Sequence, residues 1–340
     1  MQASRIKLME FYIQWHILER CNLRCRHCYQ SSFSFSELSD GTIMNIAKTI
    51  KNTLSKWRRH GHISLTGGEP FIRKDLIFKL LEFFESSNSI SKIVILTNGT
   101  LIQEDDIKQL KSFKKLKEIQ VSLDGGDAGS NDAIRGKGIF DKVIETLKLL
   151  KVNNLTVSIM FTLHRKNLDQ VSKIIDLSNK IGVDALKIER ITPISKVPIS
   201  EFWIEPLELK RIYEYIHKEK GIRSLSSLEI RTHRPLWGLI DYNINGFCPV
   251  GFGMLTLLHD GTILPCRRLP IPIGNILTDG LYKVWYTSGL LWELRNRNNL
   301  KGKCSNCEYL YKCSGCRAIA FAVLGDYMAE DPQCWKEGNN

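Results

Sequence analysis

Cys21, Cys25 and Cys28 stand at C-x3-C-x2-C spacing within Glu-Arg-Cys-Asn-Leu-Arg-Cys-Arg-His-Cys-Tyr, near the start of a 340-residue chain. That spacing supplies three thiolates from one short loop. A [4Fe–4S] cluster with four cysteine ligands is closed and mostly carries electrons. With three, one iron stays open, so a small molecule can bind it and be reduced there. A structural zinc loop and scattered buried thiols are the alternatives. Zinc asks for four nitrogen or sulfur ligands, and the candidate fourth, His27, lies between two of the cysteines, an awkward place to close a tetrahedron.

Thr66-Gly67-Gly68-Glu69-Pro70 follows a strand-like run at 62–65. Paired glycines let a backbone approach a ligand closely, Pro70 fixes the exit from the turn, and Glu69 is an acceptor suited to an ammonium group. At this distance after the cysteine triad, the motif resembles that of the radical SAM enzymes. In that family the open iron takes the amino and carboxylate groups of S-adenosylmethionine (SAM), and this turn holds the methionine end. Two further segments follow the family pattern: 92–97 ending in Asn98-Gly99, and the stretch from Ser122 and Asp124 through Asn131-Asp132 to Arg135-Gly136. The resemblance therefore implies a SAM-site set of His27, Gly67, Gly68, Glu69, Pro70, Asn98, Ser122, Asp124 and Arg135. Asn, Ser and Asp also favour turns and caps for purely local reasons, which is the competing account of Asn98, Ser122 and Asp124.

Strand-like runs at 12–18, 63–65, 93–96, 119–123, 156–161 and 185–188 alternate with helical segments at 42–57, 76–86, 104–113, 140–151, 168–181 and 206–218. Apolar residues recur at three-and-four spacing in the helices, as in Leu76, Leu80 and Phe83. Strand–helix alternation predicts an α/β fold with a parallel, covered sheet. Each motif follows the end of a strand, the catalytic rim of β/α barrels. Six units suggest a partial (β/α)6 TIM-type barrel, as the family resemblance also implies.

The other seven cysteines, Cys248, Cys266, Cys304, Cys307, Cys313, Cys316 and Cys334, fall in the C-terminal third. Gly261 precedes Cys266 by five, and Cys304-x2-Cys307-x5-Cys313-x2-Cys316 is followed by Cys334 within Glu-Asp-Pro-Gln-Cys. This arrangement resembles the SPASM extension, although two residues separate Cys313 from Cys316 where many members have three. C-x2-C pairs are also a frequent zinc signature. Seven thiolates cannot complete two clusters that each take four cysteine ligands. The resemblance assigns Cys304, Cys307, Cys313 and Cys334 to one auxiliary [4Fe–4S] cluster, and Cys248, Cys266 and Cys316 to a second with an open or otherwise ligated iron. A small cysteine-rich domain with a short β-hairpin and helices is expected over 219–340, after a barrel over 1–218, the junction lying in the polar stretch 218–227.

A hydrophobic content of 43% is ample for a core. No apolar run approaches a bilayer span, and the N-terminus lacks a signal-peptide core. Reduced ligating cysteines fit the cytoplasm better than disulfides do. The net charge of +12 is lysine-dominated; a solvated basic face is one reading, and attraction of an acidic peptide or carboxylated tetrapyrrole the other. No nucleic-acid module accompanies the charge.

The resemblance implies an oxidoreductase or maturase in which SAM, bound to the open iron, is reductively cleaved to methionine and a 5′-deoxyadenosyl radical that removes a hydrogen atom from substrate. It also implies a reductant such as ferredoxin or flavodoxin. The commonest SPASM substrates are peptides or proteins. Only twenty residues precede Cys21, too few for the leader-binding domain many peptide-modifying members carry. The second reading is side-chain chemistry on a tetrapyrrole, resembling the haem and haem d1 pathway enzymes, which share the context of residues 313–318 and 331–334. A non-catalytic iron–sulfur carrier or zinc scaffold is a third, against which Glu69 and the intact triad speak.

Overall fold

The computed structural model of the protein describes residues 10–337, apart from 31, 34, 35, 196, 224, 225 and 233. Strands β1 (Phe11–His16), β2 (Gly61–Thr66), β3 (Ile90–Thr97), β4 (Leu116–Ser122), β5 (Val157–Leu163) and β6 (Ala185–Arg190) lie side by side in that order, all parallel. Helices α1 (Asp40–Lys56), α2 (Lys74–Glu85), α3 (Glu104–Leu110), α4 (Ala128–Arg135), α5 (Ile139–Val152) and α6 (Val171–Ile181) carry the chain back between them. The strand alternation decides which face meets the helices: Ile63, Leu65, Ile119 and Val121 are fully buried in the outer core, while the residues between them point to the other face. In α1, Ser39 accepts the Thr42 N–H at 3.2 Å as an N-cap, and Ile43, Ile46, Ala47, Ile50 and Leu54 form the buried stripe.

The partial barrel is thus as the alternation implied, with α4 added. The expected junction at 218–227 does not interrupt the sheet. The helix Pro206–Ile222 runs into it, after which β7 (Glu229–Arg231) pairs with β6, and β8 (Met254–Leu257) pairs in parallel with the other edge of β1. The hairpin partner β9 (Thr262–Leu264) and β10 (Gly274–Asn275) continue that edge antiparallel, giving ten strands in one sheet among the described residues. Gly261 turns the hairpin with φ +87°, and a Cβ there would sit 2.7 Å from Asn275 Oδ1. The C-terminal third therefore extends both edges of the barrel.

A second connection is ionic. Arg190, the last residue of β6, donates to Asp331 Oδ1 at 2.9 Å and Gln333 Oε1 at 2.8 Å, and also pairs with Asp331 Oδ2. Asp331 accepts the Cys316 N–H at 2.7 Å and the Gln333 N–H at 3.1 Å. Burial alone would raise the Asp331 pKa, but the Arg190 charge holds it below the usual carboxylate range. Among the described residues no helix is long and apolar enough to cross a membrane.

Candidate cluster sites and the lumen between them

The loop leaving β1 carries Cys21, Cys25 and Cys28 at the carboxyl rim of the strands, and the loops after β2, β3 and β4 support it. Asn98 donates to Asn22 Oδ1 at 2.9 Å and approaches Cys21 Sγ at 3.9 Å, while its own Oδ1 accepts from the backbone and hydroxyl of Thr100. Arg135, at the end of α4, approaches Cys25 Sγ at 3.9 Å. Backbone N–H groups of Leu23 and Gln30 point at Cys21 and Cys28 sulfurs, each at 3.4 Å.

Asp124 is the fully buried hub beneath this loop. One oxygen lies 2.6 Å from both His27 Nε2 and Arg135 Nη2, and the other accepts the Thr162 N–H at 2.8 Å. Burial would raise its pKa, but Arg135 and His27 hold it far below the ordinary value. The side chains of His27, Asp124 and Arg135 are thus engaged with one another, orienting the cysteine loop from behind. Asn131 and Asn167 fix the Asp124 backbone. Ser122 ends β4, half-buried.

The glycine pair makes its close approach to the chain itself. A Cβ on Gly67 would lie 2.5 Å from a Leu18 methyl, and one on Gly68 would lie 2.2 Å from Arg20 O. Gly68 N–H and Glu69 N–H donate to Leu18 O and Arg20 O at 3.1 and 2.9 Å, so the turn zips the entrance of the cysteine loop to β2. Glu69 does not present a free carboxylate to an ammonium group. It is fully buried and accepts from Phe71 N–H (3.0 Å), Thr97 Oγ1–H (2.7 Å) and Asn98 N–H (2.7 Å). Burial pushes its carboxyl up to about 7 against these three donors. Pro70 opens the following 3-10 turn.

In the C-terminal third, Cys304, Cys307, Cys313 and Cys334 line one recess, walled by Leu236, Leu239 and Leu310. The Leu236 and Gly315 N–H groups point at Cys313 Sγ at 3.2 and 3.4 Å, and Arg317 approaches Cys304 Sγ at 4.0 Å. Cys248, Cys266 and Cys316 are the other three cysteines of this part of the chain. Burial raises the Cys316 thiol, Arg190 opposes the rise and Cys248 adds to it; Arg268 lies close enough to sense both Cys266 and Cys316. Arg297 is enclosed between Phe247 and Phe252, 4.5 and 4.7 Å from their ring centres, and donates to Cys248 O at 2.8 Å.

These surroundings fit iron–sulfur clusters. Burial raises the thiols of Cys21 and Cys334 to about 11 and of Cys313 to about 12, so a bound cation is needed to hold them as thiolates. The N–H and guanidinium donors around the sulfurs are those that tune such centres.

The sequence reading missed the polar lumen between the two regions. Lys187 donates to Gln120 Oε1 at 2.8 Å and pairs with Glu118, which also accepts from Arg231 at 2.6 Å and from Ser158 at 2.6 Å. Glu189 is shared by Arg234 at 2.8 Å and Arg268 at 2.6 Å. Arg267 lies with its guanidinium 4.3 Å above the Tyr29 ring. The available signal was polar residues at alternate positions of otherwise buried strands: Glu118, Gln120 and Ser122 in β4, Lys187 and Glu189 in β6.

Two protein-family models match this chain. The radical SAM superfamily model matches residues 15–178, and the SPASM iron–sulfur cluster-binding domain model matches residues 248–308. This chain is a radical SAM enzyme with a C-terminal SPASM domain. Its domains imply [4Fe–4S] clusters and SAM as cofactors. The radical SAM enzyme is 28% identical to the AdoMet-dependent heme synthase of Methanosarcina barkeri, over 95% of each chain. It is 29% identical to the mycofactocin maturase MftC of Mycolicibacterium smegmatis, over 95% of this chain and 82% of that one. In fold it resembles Streptococcus suis SuiB bound to S-adenosylmethionine (TM-score 0.77, 19% identity, 97% of this chain and 78% of that one). A comparable likeness extends to anSMEcpe with bound AdoMet and a peptide (TM-score 0.77, 21% identity, 96% and 94%).

Proposed function

We propose that this radical SAM enzyme modifies a side chain of a carboxylate-bearing tetrapyrrole. The observation that carries the reading is the basic wall of the lumen, where Lys187 and Arg231 meet Glu118, Arg234 and Arg268 share Glu189, and Arg267 stacks on Tyr29. Arg231 also reaches Glu229 at 2.8 Å, yet cations still outnumber carboxylates on this wall, which favours an anionic substrate. The match to a heme synthase over 95% of both chains supports it. A ribosomal peptide is the second reading, favoured by the likeness to a mycofactocin maturase.

In this account residues 1–218 serve the SAM cluster and 219–340 the auxiliary clusters. Cys21, Cys25 and Cys28 hold the first cluster; Cys304, Cys307, Cys313 and Cys334 hold a second; Cys248, Cys266 and Cys316 hold a third with one iron not ligated by cysteine. When bound, the cofactors supply reductive SAM cleavage and the hydrogen-abstracting radical. The protein's own groups position: Asp124, through His27 and Arg135, orients the cysteine loop; Glu69 fixes the turn Gly67, Gly68, Pro70; Asn98, bonded to Asn22 and Thr100, braces the loop at Cys21; Ser122 is left at the rim for SAM. A ferredoxin or flavodoxin is the proposed electron donor.

The test is anaerobic incubation of the cluster-loaded enzyme with SAM, dithionite and, in separate reactions, a propionate-bearing tetrapyrrole or short peptides encoded beside its gene. A tetrapyrrole-dependent rise in 5′-deoxyadenosine with a matching mass change in the tetrapyrrole is expected. A rise with a peptide alone would replace this reading by the second.

A further inference from the structure

The other arginines of the lumen are committed to carboxylates: Arg231 to Glu118, Arg234 and Arg268 to Glu189. Among the described residues none pairs with Arg267. Its Nε is buried and has no hydrogen-bond partner. Its guanidinium lies 4.3 Å above the ring of Tyr29, which holds the plane fixed and leaves the in-plane N–H edge as the donor surface. An unpaired, partly desolvated guanidinium fits one ligand chemistry above others, the carboxylate, which it grips with two parallel hydrogen bonds.

Its place in the chain gives the contact a meaning. Tyr29 follows Cys28 on the triad loop, and Arg267 follows Cys266 in the C-terminal third. The Arg267–Tyr29 stack is thus one of the places where the two cysteine-bearing regions touch. His16, at the carboxyl end of β1, flanks it with its ring 6.2 Å from that of Tyr29; burial, and then the Arg267 charge, hold His16 well below its ordinary pKa, so it adds no second cation. His259, 3.6 Å from Glu19, lies on the same side.

We propose that Arg267, braced on Tyr29, is the receptor for a carboxylate of the substrate and holds it between the triad loop and the Cys266 loop. The inference rests on the substrate being anionic, as proposed above, and adds the residue that reads the charge. A substrate gripped there lies beside both cysteine groups at once, so the position of the carboxylate sets which carbon of an attached side chain faces the SAM site.

The experiment uses cluster-loaded enzyme with coproporphyrin III as the tetracarboxylate probe, its tetramethyl ester as the uncharged control, and glutarate as a plain dicarboxylate. Binding of both porphyrins and of SAM is titrated to wild type, Arg267→Gln and Arg267→Lys. Phenylglyoxal labelling of Arg267 is followed by mass spectrometry with and without glutarate. Arg267→Gln should lose about tenfold or more in coproporphyrin affinity, equivalent to about 1.4 kcal/mol, with little change for the ester, and Arg267→Lys should recover part of it. Glutarate should protect Arg267 from labelling. If wild type ignores both porphyrins but glutarate still protects, the anion site stands and the tetrapyrrole reading fails. If coproporphyrin binds wild type and Arg267→Gln equally, the Arg267 assignment fails while the tetrapyrrole reading survives. A parallel loss of SAM affinity would assign Arg267 to the carboxylate of SAM and overturn the proposal, as would absence of both protection and porphyrin binding.

Discussion

Replacing Asp331 by Asn removes the charge from a carboxylate that is 1% exposed and accepts four hydrogen bonds. Arg190, itself 4% exposed, would keep only Gln333 Oε1 as a strong partner. Breaking a buried pair from one side leaves an uncompensated charge and costs about 3–5 kcal/mol, a large share of the ~5–15 kcal/mol that separates folded from unfolded domains. With a urea slope of ~3 kcal/mol per molar, the denaturation midpoint should fall by about 1–1.7 M. The assay is anaerobic urea titration of the loaded enzyme by circular dichroism, with iron release in parallel, because Asp331 also anchors the N–H of Cys316. Iron should be lost at lower urea in the variant. The Asp331 pKa is depressed in the fold, so its contribution is present above the unfolded value of about 3.9 and vanishes as pH falls through the folded value. The gap between variant and wild type should therefore narrow below about pH 4. Adding Arg190→Gln should restore part of the stability. A midpoint unchanged by Asp331→Asn, with normal iron retention, would falsify the clamp.

Three further outcomes are expected. Reconstituted enzyme should hold about twelve irons, as three [4Fe–4S] clusters require, and little zinc by elemental analysis; stoichiometric zinc would overturn the cluster assignment. Substituting Cys21, Cys25 and Cys28 together by Ala should abolish dithionite-driven 5′-deoxyadenosine formation while the C-terminal iron remains, and residual cleavage would move the SAM site elsewhere. Glu69→Gln sets an amide donor against the Asn98 or Phe71 N–H, or against Thr97; losing one buried acceptor costs about 1–3 kcal/mol, so thermal melting should drop by about 1–4 °C, at about 1.5 °C per kcal/mol for a chain of this length. A normal melting curve with only weakened SAM binding would instead make Glu69 a ligand-facing group.

The barrel was legible because its strands are short apolar runs, such as Ile93-Val94-Ile95-Leu96, set between helices with clear three-and-four periodicity. The two cysteine-bearing regions were legible because motif spacing is written locally. What could not be read was long-range. β7 has only three residues and β10 two, too few for a pattern, and nothing in Met254–Leu257 reveals that its partner is β1. α4 escaped notice because Ala-Gly-Ser-Asn-Asp-Ala-Ile-Arg is polar and carries helix-poor residues; it is held by the Asp127 cap, which accepts the Ser130 N–H at 2.9 Å. The surroundings of Glu69 and Asp124 were hidden for a related reason. A motif shows that a carboxylate is present, but whether it faces a ligand or the chain depends on loops from other strands.

The pairing of β8 with β1 also bears on how the molecule is made. β1 leaves the ribosome well before β8, so one of its two edges stays open until residues 254–257 emerge. During that interval the nascent chain carries an unpaired apolar edge, the kind of surface that recruits other strands, and closing it requires a contact of high sequence separation, which is slow to form. Truncation after residue 218 leaves the same edge bare for the life of the protein. The expected fate of such a fragment is aggregation in the expressing cell, whatever its complement of SAM-site residues.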